Sequence, residues 1–366
     1  MIVFSLLPIL ATGGAAALGY AVAVYPIRQK VNLFRQTETV GTLITDAEGR
    51  GALLGAYEKS SGLDTAAFDD VLWSVRTVMT PFVGFAPAPG TQHNAYIDAR
   101  QFRGRSVLTV PKPPNVTRIF LIGASVAFGA GATSDERTIG GYLQTLLDQR
   151  PPEPDRRYEV FTFASPGWSS THERIAIENR ISELEPDLVV TLTGVADCVL
   201  SRLGRNVLWS FSFNDHHYWE LLNVALERSG FEAMVNVQDS SPQRVPPQTV
   251  ATRLEKNVRL ASAALSLENA RLHVFLQPGI PTTAKALSSR ERGLRDSFDG
   301  VAYHQECYRH IRETLGVAEL PANSAFTDLT AVFDGIPETQ EVFLDRFHVG
   351  DHGNRAIAKA IVDSIG

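Results

Sequence analysis

Cysteine is scarce in this chain: 366 residues hold two, Cys198 and Cys307, far apart and in no ligand pattern. That excludes a disulfide-stapled scaffold and a thiolate metal centre. Two buried thiols or a single disulfide remain open. Positive charge is also in short supply. Lys and Arg total 34 against 40 Asp and Glu, a net charge of -6, and the basic residues are dispersed. Without a basic patch, nucleic acid is excluded as a partner class. No internal repeat is visible, so a solenoid is excluded too.

The most local absence lies at the start. No charged side chain occurs from Met1 to Tyr25, a stretch rich in Leu, Ile, Val and Ala. About 20 such residues cross a hydrocarbon core as a helix, and glycine is tolerated there. Residues 1–25 are therefore read as a transmembrane anchor. A cleaved signal segment, with Ala21-Val22-Ala23 as the small-residue site, and a buried soluble helix are the alternatives. Arg28, Lys30 and Arg35 follow the apolar run, and by the charge rule they favour the cytoplasmic side for what comes next.

Residues 26–115 form a lead-in expected to pack on the main domain. Phe68, Val71, Leu72, Val75 and Met79 recur at helical spacing within Asp64–Met79 and predict a helix there. Pro81, Pro87 and Pro89 then end it, and "PKPPN" (Pro111–Asn115) marks the boundary.

From residue 116 onward, short apolar strands alternate with helices. The strands are read at Arg118–Gly123, Tyr158–Ala164, Asp187–Gly194, Arg271–Pro278 and Ser324–Thr330. Helices are read in Glu136–Gln149, Thr171–Leu184 and Gly353–Ile365. The pattern implies an α/β fold: a three-layer α/β/α sandwich around a mainly parallel five-stranded sheet. Ligands of such sheets bind beyond the carboxyl ends of the strands. Ser125, Gly167 and the residues after Gly194 all fall at such ends.

Ser125 directly follows the first strand. There it is either a helix N-cap or a nucleophile beside unpaired backbone N–H groups that hold an oxyanion. No Gly-Lys-Ser/Thr ending makes a phosphate loop, and the nearby glycines do not complete G-x-G-x-x-G, so dinucleotide binding is disfavoured. Serine needs a base. In "VFLDRFHVGDHGNRAIA", Asp345 and His348 lie three apart before the last helix. That spacing lets the carboxylate fix one imidazole nitrogen while the other faces a substrate. His352 competes for the base role but has no acid at the same spacing. Asp351 and His352 are read as surface or capping residues.

These blocks together resemble the SGNH hydrolase superfamily, the GDSL-type esterases and lipases, in its membrane-anchored bacterial form. Gly123-Ala124-Ser125 stands for the nucleophile block, Gly167 in "ASPGWSS" for the second, "TGVADC" for the third and Asp345–His348 for the last. The resemblance covers about 240 residues. It implies an SGNH/flavodoxin-like fold, with Ser125, His348 and Asp345 as a catalytic triad and the backbone N–H groups of Ser125 and Gly167 as oxyanion donors. The third block departs from the family: Ala196 occupies the place of the asparagine whose amide also donates to the oxyanion. Asn214 in "SFND" is the nearest candidate substitute, and Asp197 is read as a structural hydrogen-bonding residue.

About 201–269 the chain is longer than a crossover requires. This insertion contains "LWSFSFNDHHYWELL", read either as a cap with an aromatic wall or as a helical insertion with buried aromatics. His216 and His217 point in different directions on any regular element and make a poor metal pair. The reading is a serine ester hydrolase acting on a small-molecule or glycan ester, with no cofactor and no metal. An acyltransferase with the same triad and a non-catalytic binder are the alternatives. The resemblance places the domain outside the cytoplasm, anchored to a membrane.

Overall fold

The computed structural model describes residues 75–150, 155–204, 216–232, 243–317 and 319–365, with the backbone alone described for 216–221. Residues 1–25, and with them the expected anchor, lie outside this set. Among the described residues no helix is long and apolar enough to cross a membrane.

The lead-in is built of two small antiparallel pairs. β1 (Thr77–Thr80) pairs with β2 (Gly84–Pro87), and β3 (Gly90–Gln92) with β4 (Ala95–Ile97). The helix expected over Asp64–Met79 is corrected here, because Thr77 to Met79 lie in β1. Residues 64–74 of that expectation lie outside the described set. The helical spacing placed Val75 and Met79 on one face, but Val75 is buried and Met79 is exposed. An extended chain paired to Phe85 satisfies the backbone of Met79 instead.

The main body runs β5 (Val116–Gly123), α1 (Ser125–Phe128), α2 (Ile139–Asp148), β6 (Arg157–Ala164), α3 (Ser170–Ala176), β7 (Leu188–Thr193) and α4 (Val195–Arg202). It continues through α5 (His216–Arg228), α6 (Pro247–Leu267), β8 (Arg271–Leu276), α7 (Ser289–Asp296), α8 (Val301–Val317), β9 (Ser324–Asp328) and α9 (Asp351–Ile365). All five main strands pair in parallel, in the order β6-β5-β7-β8-β9. β5 is first in the chain yet has neighbours on both sides. The sheet therefore switches direction at β5, the place where open α/β sheets leave a crevice.

Both sheet faces are buried, and period-2 alternation shows why. In β5, Ile119 and Leu121 enter one core with Leu143 of α2 and Ile357 and Ile361 of α9. Phe120 and Ile122 enter the opposite core with Ile177, Leu254 of α6 and Ile311 of α8. α9 buries Asn354, Ile357, Ala358, Ile361 and Val362, a stripe at i, i+3, i+4 spacing. α6, at the end of the stretch expected as an insertion, buries Val250, Leu254, Val258 and Leu265, so it serves as the β7-to-β8 crossover helix.

The lead-in closes the β6 edge. Phe102 packs 5.8 Å from Phe120 and 5.4 Å from Phe163, and Arg103 donates its backbone N–H to Thr162 O at 3.0 Å. Trp168 Nε1–H donates to Phe85 O at 2.9 Å. An otherwise open strand edge is thereby covered.

Candidate active site

Ser125 is the first residue of α1, directly beyond β5. Its N–H therefore has no acceptor within the helix. The approach to it is tight. A Cβ on Gly123 would lie 2.6 Å from Leu192 O and 2.8 Å from Ala127 Cβ, so only glycine lets the strand turn here. The helix ends after one turn at Gly129, which is left-handed at φ +90°, and Arg103 completes it. The Arg103 guanidinium, buried, donates to Phe128 O at 2.9 Å and Gly129 O at 2.8 Å, and pairs with Asp135 at 2.9 Å. The positive charge sits at the negative end of the helix that opens on Ser125.

Register brings the other blocks alongside. Gly123 pairs with Ala164 of β6 and with Leu192 of β7. The loop after β6 carries Gly167, half-buried, and is tied back by the Ser165 N–H donating to Gly123 O at 3.2 Å. On the other side Gly194, at φ +107°, turns β7 into α4. Its own Cβ would meet Leu276 Cδ1 at 2.6 Å. Ala196 follows in the first turn of α4 with its methyl half-exposed; this side chain has no hydrogen to donate.

The third component comes from the far end of the chain. His348 Nε2 lies 2.7 Å from Ser125 Oγ, and His348 Nδ1 lies 2.8 Å from Asp345 Oδ2. An ionised carboxylate only accepts, so Nδ1 carries the proton and Nε2 is left to accept from the serine hydroxyl. The other Asp345 oxygen accepts the backbone N–H groups of Phe347 at 2.8 Å and His348 at 2.7 Å. Burial pushes the Asp345 carboxyl up, but the His348 charge and these hydrogen bonds outweigh it and hold it below its ordinary value. Burial likewise lowers His348, and the Asp345 charge and hydrogen bond more than reverse that, leaving the imidazole raised.

His352 is not part of this line, since its Nε2 meets Gln340 Nε2 at 2.8 Å. Asp351, read from sequence as surface or capping, is corrected: it is buried. It accepts from Thr133 N at 3.0 Å, Thr133 Oγ1 at 2.5 Å and Arg137 at 3.1 Å, which fastens α9 to the loop after α1. Asp197 is buried and accepts from Ser170 N at 2.9 Å and Ser170 Oγ at 2.6 Å, closing the open end of α3. Burial raises its carboxyl, with the Ser170 bonds partly offsetting. Cys198 and Cys307 are free and buried. Asn214 lies outside the described residues. Among the described residues no three His, Cys, Asp or Glu side chains cluster as metal ligands.

A layer that the sequence reading missed holds the turn from behind. Glu291, fully buried, accepts from Val342 N at 2.8 Å and Phe343 N at 3.1 Å with one oxygen. The other accepts from Ser288 N at 3.0 Å and Lys285 Nζ at 2.9 Å. Arg290 donates to Leu344 O at 3.1 Å and to Phe343 O, and pairs with Glu341 at 2.8 Å. The strand of loop before Asp345 thus has both its N–H and its C=O groups fixed. Ser288 and Glu291 form a reciprocal capping box on α7, and that S-x-x-E spacing was the available signal. Arg103 had none.

No family model matches the sequence, and no curated protein matches it. Solved structures that resemble it include an acetyl xylan esterase at 17% identity and a TM-score of 0.42, covering 68% of this chain and 100% of that one. Another is an acetylxylan esterase from Geobacillus stearothermophilus, at 16% identity and 0.37, covering 68% and 94%. A third, from Parabacteroides merdae, is described as a GDSL-like lipase, at 12% identity and 0.41, covering 68% and 94%.

Proposed function

We propose that the chain is a serine ester hydrolase working through an acyl-enzyme. The observation that carries this reading is the unbroken Asp345–His348–Ser125 line, with contacts of 2.8 and 2.7 Å, the second of them joining residues 223 positions apart in the chain. Ser125 Oγ attacks the ester carbonyl as His348 Nε2 takes its proton. His348 then returns that proton to the leaving alcohol, and a water repeats the cycle to release the acid. Asp345 orients the imidazole and stabilises the imidazolium that forms. The N–H groups of Ser125 and Gly167 receive the tetrahedral oxyanion. The substrate class that fits a membrane-anchored, extracytoplasmic member is an acylated glycan or envelope polymer. Water and a second alcohol are chemically equivalent acceptors at this site.

A fluorophosphonate probe tests the reading directly. It is expected to label the full chain, and Ser125→Ala is expected to abolish the label; a wild-type protein that never labels, though folded, overturns it.

Ala196 favours a second reading, a binder that has lost turnover, because one oxyanion donor typically contributes ~10²–10³ in rate. Ala196→Asn separates the two. The restored amide is expected to raise kcat for a simple chromogenic ester by about tenfold or more. An unchanged kcat would mean that another donor, such as a free N–H in the first turn of α4, already fills the role.

A further inference from the structure

Two arginines flank the catalytic turn in an arrangement that the hydrolytic chemistry leaves unused. Arg346 lies within the turn, between Asp345 and His348, and its guanidinium carbon sits 4.9 Å from the centre of the Phe298 ring. Arg202, the last residue of α4, places its guanidinium carbon 5.3 Å from the same centre. Sharing one ring, the two cations are no more than about 10 Å apart. The ring beneath them is fixed. Phe298 meets Phe347 edge-on at 5.6 Å, and His304 of α8 stacks on Phe347 at 5.3 Å.

These charges are poorly neutralised. Arg346 donates to Ser297 O at 3.3 Å and Ser297 Oγ at 3.5 Å, and no carboxylate among the described residues lies within ion-pair distance of it. Arg202 meets Asp299 at 3.2 Å, but that carboxylate is 82% exposed, so the pair is screened and open to exchange. The Arg202 Nε–H is buried with no acceptor among the described residues. Exposed Arg244 lies 5.5 Å over Tyr303, whose ring centre is 6.2 Å from that of His304. In a chain of net charge -6, guanidinium groups gathered over one aromatic face make a local positive point that attracts an anion.

The position is what ties this patch to the reaction. Arg346 belongs to the same turn as His348. The stems of the 201–269 stretch also meet here, with Val245 N–H donating to Ser201 O at 2.9 Å and Tyr303 O–H to Val245 O at 2.6 Å. Guanidinium forks suit oxyanions of phosphate and carboxylate alike, and two forks at this separation can share one such group. Building on the ester-hydrolase reading, we propose that Arg202 and Arg346 form an anion subsite beside Ser125 and His348. The ester it serves is then carried on an acidic molecule, one bearing a carboxylate or a phosphate.

The test compares three acetylated sugars on the full chain: acetyl glucuronic acid, its neutral methyl ester, and acetyl glucose 6-phosphate. One or both acidic esters are expected to be preferred over the neutral one in kcat/KM, and the better of them names the source of the charge. Arg202→Gln and Arg346→Gln are each expected to cut that acid-over-neutral ratio by about tenfold, and rising salt to erode it in the wild type. Equal rates for the neutral ester and both acidic ones, or a ratio untouched by both variants, overturn the subsite. If no ester is cleaved and the fluorophosphonate does not label, the hydrolase reading fails separately. Calorimetric titration with inorganic phosphate then decides the subsite by itself: saturable binding lost in Arg346→Gln keeps it, and no binding ends it.

Discussion

Asp345→Asn is expected to lower kcat by about three to four orders of magnitude while leaving the fold intact. Asparagine keeps an oxygen for the N–H groups of Phe347 and His348, so the turn persists. Its amide, however, donates toward His348 Nδ1. The imidazole must then carry its proton on Nε2, where it faces Ser125 Oγ and cannot accept. The pH profile supplies a second readout. In the wild type the base works only when His348 is neutral, and Asp345 raises the imidazole above its ordinary value of 6.5. The acid limb of kcat/KM should therefore lie above pH 6.5, and in the variant it should move to lower pH. A limb that stays in place, or a loss smaller than tenfold, would remove Asp345 from its assigned role. Linkage gives a third, smaller effect. Asp345 is depressed, so its stabilisation is complete above about 3.8 and is lost as pH falls through its folded value. His348 is raised, so its stabilisation is complete below 6.5 and is lost as pH rises through its folded value. The pair thus stabilises the fold most in the window between.

Glu291→Ala is expected to destabilise the protein by about 3–5 kcal/mol. The carboxylate and its Lys285 partner are both fully buried, at 2.9 Å. Removing the acid strands an ammonium in the interior and leaves the N–H groups of Val342, Phe343 and Ser288 without their acceptor. The double variant Lys285→Met/Glu291→Ala should recover part of the loss, because the uncompensated charge is gone. Urea unfolding of the three proteins measures this. A Glu291→Ala protein within 1 kcal/mol of wild type, about the size of an ordinary surface change, would refute it.

Much of this was legible in the residues, and the reason is physical. β5, β7 and β8 are buried on both faces, so each reads as a mainly apolar run, broken only by single polar residues such as Thr191 in β7 and His273 in β8. The strand-to-glycine-to-serine step at residues 123–125 is equally local, as is the Asp345–His348 spacing, because each motif needs only its immediate neighbours to take shape. What escaped was long-range or locally ambiguous. Val75 and Met79 share a helical spacing with residues before them, yet pairing of Thr77–Thr80 with β2 drew Met79 into a strand. Asp351 looked like a helix-start acid on the surface, and only Thr133 and Arg137, more than two hundred positions earlier, make it an interior one. Arg103 was invisible for the same reason: its acceptors, the carbonyls of Phe128 and Gly129 and the Asp135 carboxylate, lie 25 to 32 positions further on and form no local pattern with it.

That last contact bears on where the working unit begins. The proline-rich stretch at 111–115 looks like a natural cut, with the sheet starting just after it. Severing the chain there would discard the guanidinium that closes the one-turn helix under Ser125 and bare the flank of β6. A shortened version starting at β5 would thus inherit every side chain of the proposed triad and lose the brace that holds the helix under Ser125.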